Sequence, residues 1–438
     1  MMGDLILADK ISAFTRFLKF QVLIIGFIKM GEFVFFFFEQ NYINLYVEQI
    51  LGKSEYYVSW LVSLSAVMGI IFQFVWGVIS DNTRSKYGRR RPFFIFGGFL
   101  AGISMIIYAF SKSYWLCLIL DGIIIAIGTN AYLAAEHSLI PDIFEKKLRG
   151  RANGIIFVMG NIGMVIALAL FLITEEIFGY EGPQGGTILE STGFILLLTV
   201  GGAFIIIGGI LGFLFVREKP TDELQPRKTF KAEMKETFRV SELKNHKEFG
   251  KNILANMVFR IGYSTIMPFL FSYIFSLGMD LVELLISIMV VSFPLVFIFT
   301  YVIGVLSDKY GRKKFLIITL FIMALGLSLV PLIGGPSDYS YALILLCFPF
   351  IMITLLGFDA PMNSWTQDLL PENKRGQFIG IMNITMNVPQ IIGSFIAGYV
   401  AIEYGKQWIF PTAGAFLILS IPFFLWIKDT LGPKSDPE

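Results

Sequence analysis

Twelve predominantly apolar stretches recur along the chain, at 20–48, 56–79, 92–110, 114–137, 149–174, 192–216, 250–277, 281–306, 314–334, 340–363, 376–402 and 407–428. A helix needs roughly 17–25 such residues to cross the hydrocarbon of a bilayer, and each stretch has about that length. None alternates with the period of two that a half-buried strand requires. Inside lipid, only a helix satisfies its own backbone segment by segment. The pattern therefore predicts an all-α membrane protein of twelve transmembrane helices. One long polar stretch interrupts it and divides the chain into a six-helix half at 1–216, a linker at 217–249 and a second six-helix half at 250–438.

Composition supports lipid as the main solvent. The 438 residues are 55% hydrophobic with 45 Phe, and only 16% are charged, where a soluble domain carries about 25%. Mean hydropathy is +0.70. With a net charge of only +2, nothing in the overall balance points to nucleic acid. Cys117 and Cys347 lie in apolar runs, so neither a disulfide framework nor a metal site is expected. The first twenty residues lack the basic and apolar regions of a cleaved signal, and the first span is expected to direct insertion.

Lysine and arginine orient the spans. With both termini placed in the cytoplasm, only Lys53, Lys112 and Lys406 of the 35 basic residues fall outside, and Lys29 and Arg260 lie within spans. That bias is the positive-inside rule, and it predicts a multi-pass protein of the cell membrane with cytoplasmic N- and C-termini. The linker, FKAEMKETFRVSELKNHKEFG, reads as a solvated, partly helical connector that includes His246.

The halves repeat one another. GVISDNTRSKYGRRR (Gly77 to Arg91) follows the second span, and GVLSDKYGRKK (Gly304 to Lys314) follows the eighth. A second pair agrees: LIPD with RGRANGIIFVMGNIG at the fifth span, and LLPE with RGQFIGIMNITMNVPQIIG at the eleventh. Gly154 and Gly380, like Asn161 and Asn387, stand 226 residues apart, while Gly77 and Gly304 stand 227 apart. Two motifs with one period indicate a duplicated six-helix unit. Parallel repeats of this kind place a substrate site near the membrane midplane between the halves.

The repeated GxxSDxxGRKK loop resembles the signature of the major facilitator superfamily. The longer first copy, SDNTRSKYGRRRPF with Gln73 eight residues before Asp81, is similar to the glycoside–pentoside–hexuronide:cation symporters, and within them to the sucrose-transporter-like branch. The resemblance implies secondary transport by a monomer and a gating role for the loop residues Gly77, Asp81, Gly88, Arg89, Arg90, Gly304, Asp308, Gly311 and Arg312. Physical chemistry points the same way. Asp81 and Asp308 stand just before basic turns, where a carboxylate can pair with arginines and with the N-terminus of the next helix. The arginines also suit anionic headgroups. Sodium-coupled relatives use acids in spans two and four, and span two here has none; a sodium site is not expected. Sucrose–proton symporters carry an arginine on span four, and this span has none.

An ionisable side chain in hydrocarbon costs roughly 2.5–3.5 kcal/mol and so faces a cavity or a partner. Lys29, Phe36, Glu32 and Glu39 share one face of span one, with Lys29 and Glu32 able to neutralise each other. Asp121, Tyr132 and Glu136 share a face of span four with Gly128. Arg260 and Tyr263 stand on span seven, Asp359 on span ten, and Asn161, Asn383, Asn387 and Gln390 on spans five and eleven. Glu32, Glu39, Asp121 and Glu136 are the candidates for taking up and releasing a proton as access alternates. Lys29, Phe36, Gln73, Tyr132, Asn161, Arg260, Tyr263, Asp359, Asn383, Asn387 and Gln390 are the candidates for holding solute. Amides and carboxylates satisfy sugar hydroxyls, and rings pack on flat C–H faces.

These features predict a proton-coupled importer of a sugar or glycoside with no cofactor. Two alternatives remain: an exporter or carrier of another small molecule on the same fold, and a receptor that moves nothing. An enzyme is not expected. His137 and His246 are the only histidines, and no nucleophile elbow, HExxH or phosphate-binding loop occurs.

Overall fold

A computed structural model describes residues 16–144, 146–182, 187–218, 246–310, 312–334, 337–358, 362, 365, 366, 369 and 375–428. They form an all-α membrane fold. The first six long helices are α1 (Arg16–Gln49), α2 (Glu55–Asn82), α3 (Arg91–Ala109), α4 (Tyr114–Glu136), α5 (Lys146–Phe178) and α6 (Ser191–Phe215). The second six are α7 (Lys247–Phe275), α8 (Leu281–Tyr310), α9 (Arg312–Ser328), α10 (Asp338–Leu355), α11 (Arg375–Tyr404) and α12 (Ile409–Leu425). Among the described residues, eleven of them meet both the length and the apolarity needed to span a bilayer. Helix α11 is 30 residues long and carries the amide-rich run NITMNVPQ.

Several helices run past the apolar stretches. Helix α2 continues to Asn82 and α8 to Tyr310, so that Asp81 lies in the last helical turn of α2. Hydropathy marks only the part in hydrocarbon, whereas backbone hydrogen bonding carries a helix on into the polar zone. After α5, strands β1 (Gly179–Glu181) and β2 (Thr187–Leu189) pair antiparallel, with Tyr180 opposite Ile188. The side chain of Gln49, at the end of α1, clasps this hairpin by donating to Thr187 O at 3.1 Å and accepting from Leu189 N at 3.0 Å.

The described chain forms two compact units. One gathers 16–46, 68–178 and 190–218; the other gathers 47–67, the hairpin and the residues from 246 on. Inside the first, α3 and α6 meet backbone to backbone. A Cβ added at Gly202 would lie 2.6 Å from Gly102 O, so only glycine permits the approach. This is the use of the GGAFIIIGG run. Outward-facing positions are apolar, including Trp115 at 68% exposure and Phe297 at 69%, as a lipid-facing surface requires.

The repeat is visible in structural detail. A π-helical turn interrupts α4 at Leu120–Ile125, and another forms the end of α10, the corresponding helix of the second half, at Ile353–Gly357. In each half a basic motif residue also caps the last helix. Arg91 Nε donates to Phe213 O at 2.5 Å, and Lys313 Nζ donates to Ile427 O at 3.0 Å and to Leu425 O. Cations belong at helix C-termini, where carbonyls lack intrahelical partners.

Candidate functional site

The first unit holds an ion triad within its helices. Lys29 Nζ lies 2.8 Å from Glu32 Oε1, one turn along α1, and 3.3 Å from Glu136 Oε2 at the end of α4. Both carboxyl side chains are almost fully buried and the lysine is 16% exposed. One amine thus serves two carboxyl groups, and with all three ionised the cluster carries one net negative charge. Glu32 Oε2 is buried and accepts no hydrogen bond from a described residue. The sequence placed Lys29 beside Glu32. It did not show that Glu136, 107 residues away, closes the same cluster.

Further along α1, Glu39 lies within electrostatic reach of Asp121 on α4. Asp121 sits in the π-helical turn and is 2% exposed, and its Oδ1 accepts no hydrogen bond from a described residue. Such turns redirect a side chain by one residue's worth of rotation and recur at functional positions. Tyr132, on the other hand, is fully buried. Its ring stands edge-on to Phe94 at 5.1 Å, and its hydroxyl points at Ile28 O at 3.4 Å. Gly128 packs against Ala101 of α3. The α4 face expected to line a cavity is therefore divided. Glu136 joins the triad, while Gly128 and Tyr132 fill the packing between helices and are not presented to a solute in this structure.

The loop after α2 is held by a polar network at its end of the first unit. Arg90 is 3% exposed; its Nη2 lies 2.5 Å from Asp81 Oδ1, and its Nη1 donates to Ser80 Oγ at 2.6 Å. Arg89 pairs with Asp142, which Arg90 Nε also approaches at 3.5 Å. The expectation that Asp81 would sit on the N-terminus of the next helix is corrected: that place belongs to Glu218. Its carboxylate accepts from the backbone N–H groups of Arg89 at 2.7 Å, and of Arg90 and Arg91 at 2.8 Å each. Gly88 makes the turn with φ of 108°, and a Cβ there would press on Glu218 at 3.0 Å. Asp142 stood in the repeated LIPD string and so left a signal in the sequence. Glu218, 127 to 129 residues from its partners, left none.

Other candidates are dispersed. Phe36 and Gln73 are half-buried, as are Tyr263, Asn387 and Gln390 in the second unit, while Arg260 is 8% exposed. The amide of Asn161 donates to Phe157 O of its own helix at 2.8 Å. Gly77 and Gly304 lie in helices α2 and α8. Gly311 and Asp359, and the side chains of Asp308, Arg312 and Asn383, lie outside the described residues. Among the described residues, no group of three or more His, Cys, Asp or Glu is placed to hold a metal ion.

A family model described as Major Facilitator Superfamily matches residues 28–300 and 252–438. An uncharacterized MFS-type transporter of Methanocaldococcus jannaschii is 24% identical over 341 residues, 74% of each chain. The multidrug resistance protein MdtG of Serratia proteamaculans is 29% identical over 176 residues, 39% of this chain and 41% of its own length. Among solved structures, the nucleoside transporter NupG superposes with a TM-score of 0.70 at 13% identity, covering 93% of this chain and 98% of its own. A D-xylose-proton symporter superposes with 0.68 at 15% identity, covering 94% and 99%. At such identities the structural likeness speaks to the fold.

Proposed function

This chain belongs to the Major Facilitator Superfamily and is a membrane transporter, and from that premise we propose that it carries a sugar or glycoside together with a proton by alternating access. The observation that carries the proton half of this reading is the Lys29–Glu32–Glu136 triad. A charge costs roughly 2.5–3.5 kcal/mol in hydrocarbon, and three of them in one cluster are hard to account for by packing alone. With one amine for two carboxyl groups, the triad bears a net negative charge that a single proton neutralises. Proton binding and release at Glu32 or Glu136 then depends on which side of the membrane the cluster can exchange with. Glu39 and Asp121 form a second acidic pair on the same two helices.

The sugar half rests on the amide groups of α5 and α11 and on the likeness of the SDNTRSKYGRRRPF loop to glycoside symporters. The gating role belongs to the loop network around Asp81, Arg89 and Arg90, with Asp308 and Arg312 as its counterparts in the second repeat. Both termini lie in the cytoplasm of a cell-membrane protein that works as a monomer. A second reading, transport of a non-sugar solute including export, is favoured by the similarity to multidrug resistance proteins.

Purified protein in proteoliposomes tests both. Labelled mono- and disaccharides are offered with and without an inward proton gradient, alongside a cationic dye. Gradient-driven accumulation of one sugar supports the first reading. Dye movement against no sugar uptake, from vesicles holding folded protein, replaces it with the second. Glu32→Gln is expected to abolish uphill uptake while sparing solute exchange; full accumulation in that variant removes Glu32 from the coupling.

A further inference from the structure

The helix ends opposite the motif loops carry a polar cluster that the transport reading does not use. Glu48 is the penultimate residue of α1, Glu55 the first of α2, and Ser272 lies near the end of α7. Lys406 opens the short turn between α11 and α12, aimed there by Gly405 with φ of 100°. Lys406 Nζ lies 2.6 Å from Glu48 Oε2 and 3.5 Å from Glu55 Oε1. It also donates to Ser272 Oγ, which in turn donates to Glu48. The ammonium thus donates to one carboxylate and a hydroxyl, with the second carboxylate at ion-pair distance. Beside the cluster, Ser59 Oγ donates to Ser394 O at 2.8 Å, the Ser63 and Ser394 hydroxyls are 2.8 Å apart, and Trp60 stands edge-on to Phe395 at 5.2 Å.

We propose that the Lys406–Glu48–Ser272–Glu55 cluster is a latch whose closure holds this end of the transporter shut. All these residues lie within one compact unit, yet they come from helices of opposite repeats: 47–67 from the first, and α7, α11 and the following turn from the second. A carrier that alternates must part the two repeats at this end once in each cycle. Contacts spanning the repeats must then break, whereas contacts within a repeat can persist. The cluster is suited to breaking. Lys406 and Glu55 are about a fifth exposed, while Glu48 is 10% exposed with its Oε1 buried, so water enters from the Lys406–Glu55 side as the helices separate. A deeply buried pair could not be rehydrated that way. The latch rests on alternating access and on no particular cargo.

The test reads the conformational ratio directly, with no substrate present. Spin labels at Lys53→Cys and Asp280→Cys, both exposed positions at this end, report its opening by double electron–electron resonance in nanodiscs. The native Cys117 and Cys347 are buried and leave the labelling clean. Lys406→Met and Glu48→Gln are each expected to raise the ratio of long to short distances about tenfold or more. The double variant should go no further than the stronger single, because both remove one interaction. Ser272→Ala removes no charge and should shift the ratio in the same direction; it serves if Lys406→Met does not run as a single gel-filtration peak. Unchanged distances in folded Lys406→Met and Glu48→Gln, or fully additive effects in the double variant, overturn the latch. A sugar screen that finds no cargo leaves this measurement untouched.

Discussion

Lys29 is the cation that two buried carboxyl groups, Glu32 and Glu136, share. Replacing it with methionine keeps the stem that packs on Gly160 and removes the amine, leaving Glu32 and Glu136 without their shared cation. Orphaning a buried charge costs about 3–5 kcal/mol. Lys29→Met is therefore expected to lower the melting temperature of the purified protein markedly, and adding Glu32→Gln should recover much of the loss. Recovery of nothing would mean that the amine and the carboxylate act independently. Glu218 offers a smaller test of the same kind. Glu218→Ala strips three backbone N–H groups of their acceptor and should cost about 1–2 kcal/mol, near the upper range for a helix cap. Thermal unfolding checks it, and an unchanged melting temperature would show that water replaces the carboxylate without loss. Sequence made Lys29, Glu32, Asp81 and Arg90 conspicuous because a charge inside or beside an apolar run stands out. Glu218 did not stand out: it sits in a charged segment, and only folding brings it to Arg89–Arg91.

At the scale of the helix, the hydrocarbon dictated what could be read. Twelve long helices follow from the apolar stretches, because the bilayer sets their length and forbids most alternatives. Their ends were less legible, since α2 and α8 continue beyond the apolar part. The π-helical turn of α4 was not legible either. Asp121 lies in that turn, within electrostatic reach of Glu39, while Tyr132 farther along α4 packs against Phe94. The contact of α3 with α6 was foreshadowed by GGAFIIIGG, and it yields a sharp expectation. Gly202→Val would drive a branched side chain into Gly102 O, and the variant should not reach a monodisperse peak in detergent. Even the single Cβ of Gly202→Ala would meet that oxygen at 2.6 Å. A Gly202→Val protein that purified and unfolded like the parent would show that the two helices can move apart freely.

For the whole molecule, the duplicated motif and the distribution of basic residues say more than any single site. Lys53 lies between α1 and α2, Lys112 between α3 and α4, and Tyr87 between α2 and α3; all three are exposed. With the termini in the cytoplasm, Lys53→Cys and Lys112→Cys should react with a membrane-impermeant maleimide added to intact cells, and Tyr87→Cys only after permeabilisation. The reverse pattern would invert the proposed orientation. The latch shows where sequence falls silent at this scale: Lys406 and Glu48 are 358 positions apart, and neither belongs to a repeated motif. The Glu218 contact has a mechanical side as well. Glu218 follows the end of α6 by three residues, and it is fastened to the backbone of Arg89–Arg91, the same turn whose side chains grip Asp81 and Asp142. A pull on the chain at Glu218 therefore does not load the end of α6 alone. It is shared with the backbone of Arg89–Arg91, which the carboxylate fastens like a drawstring on the loop.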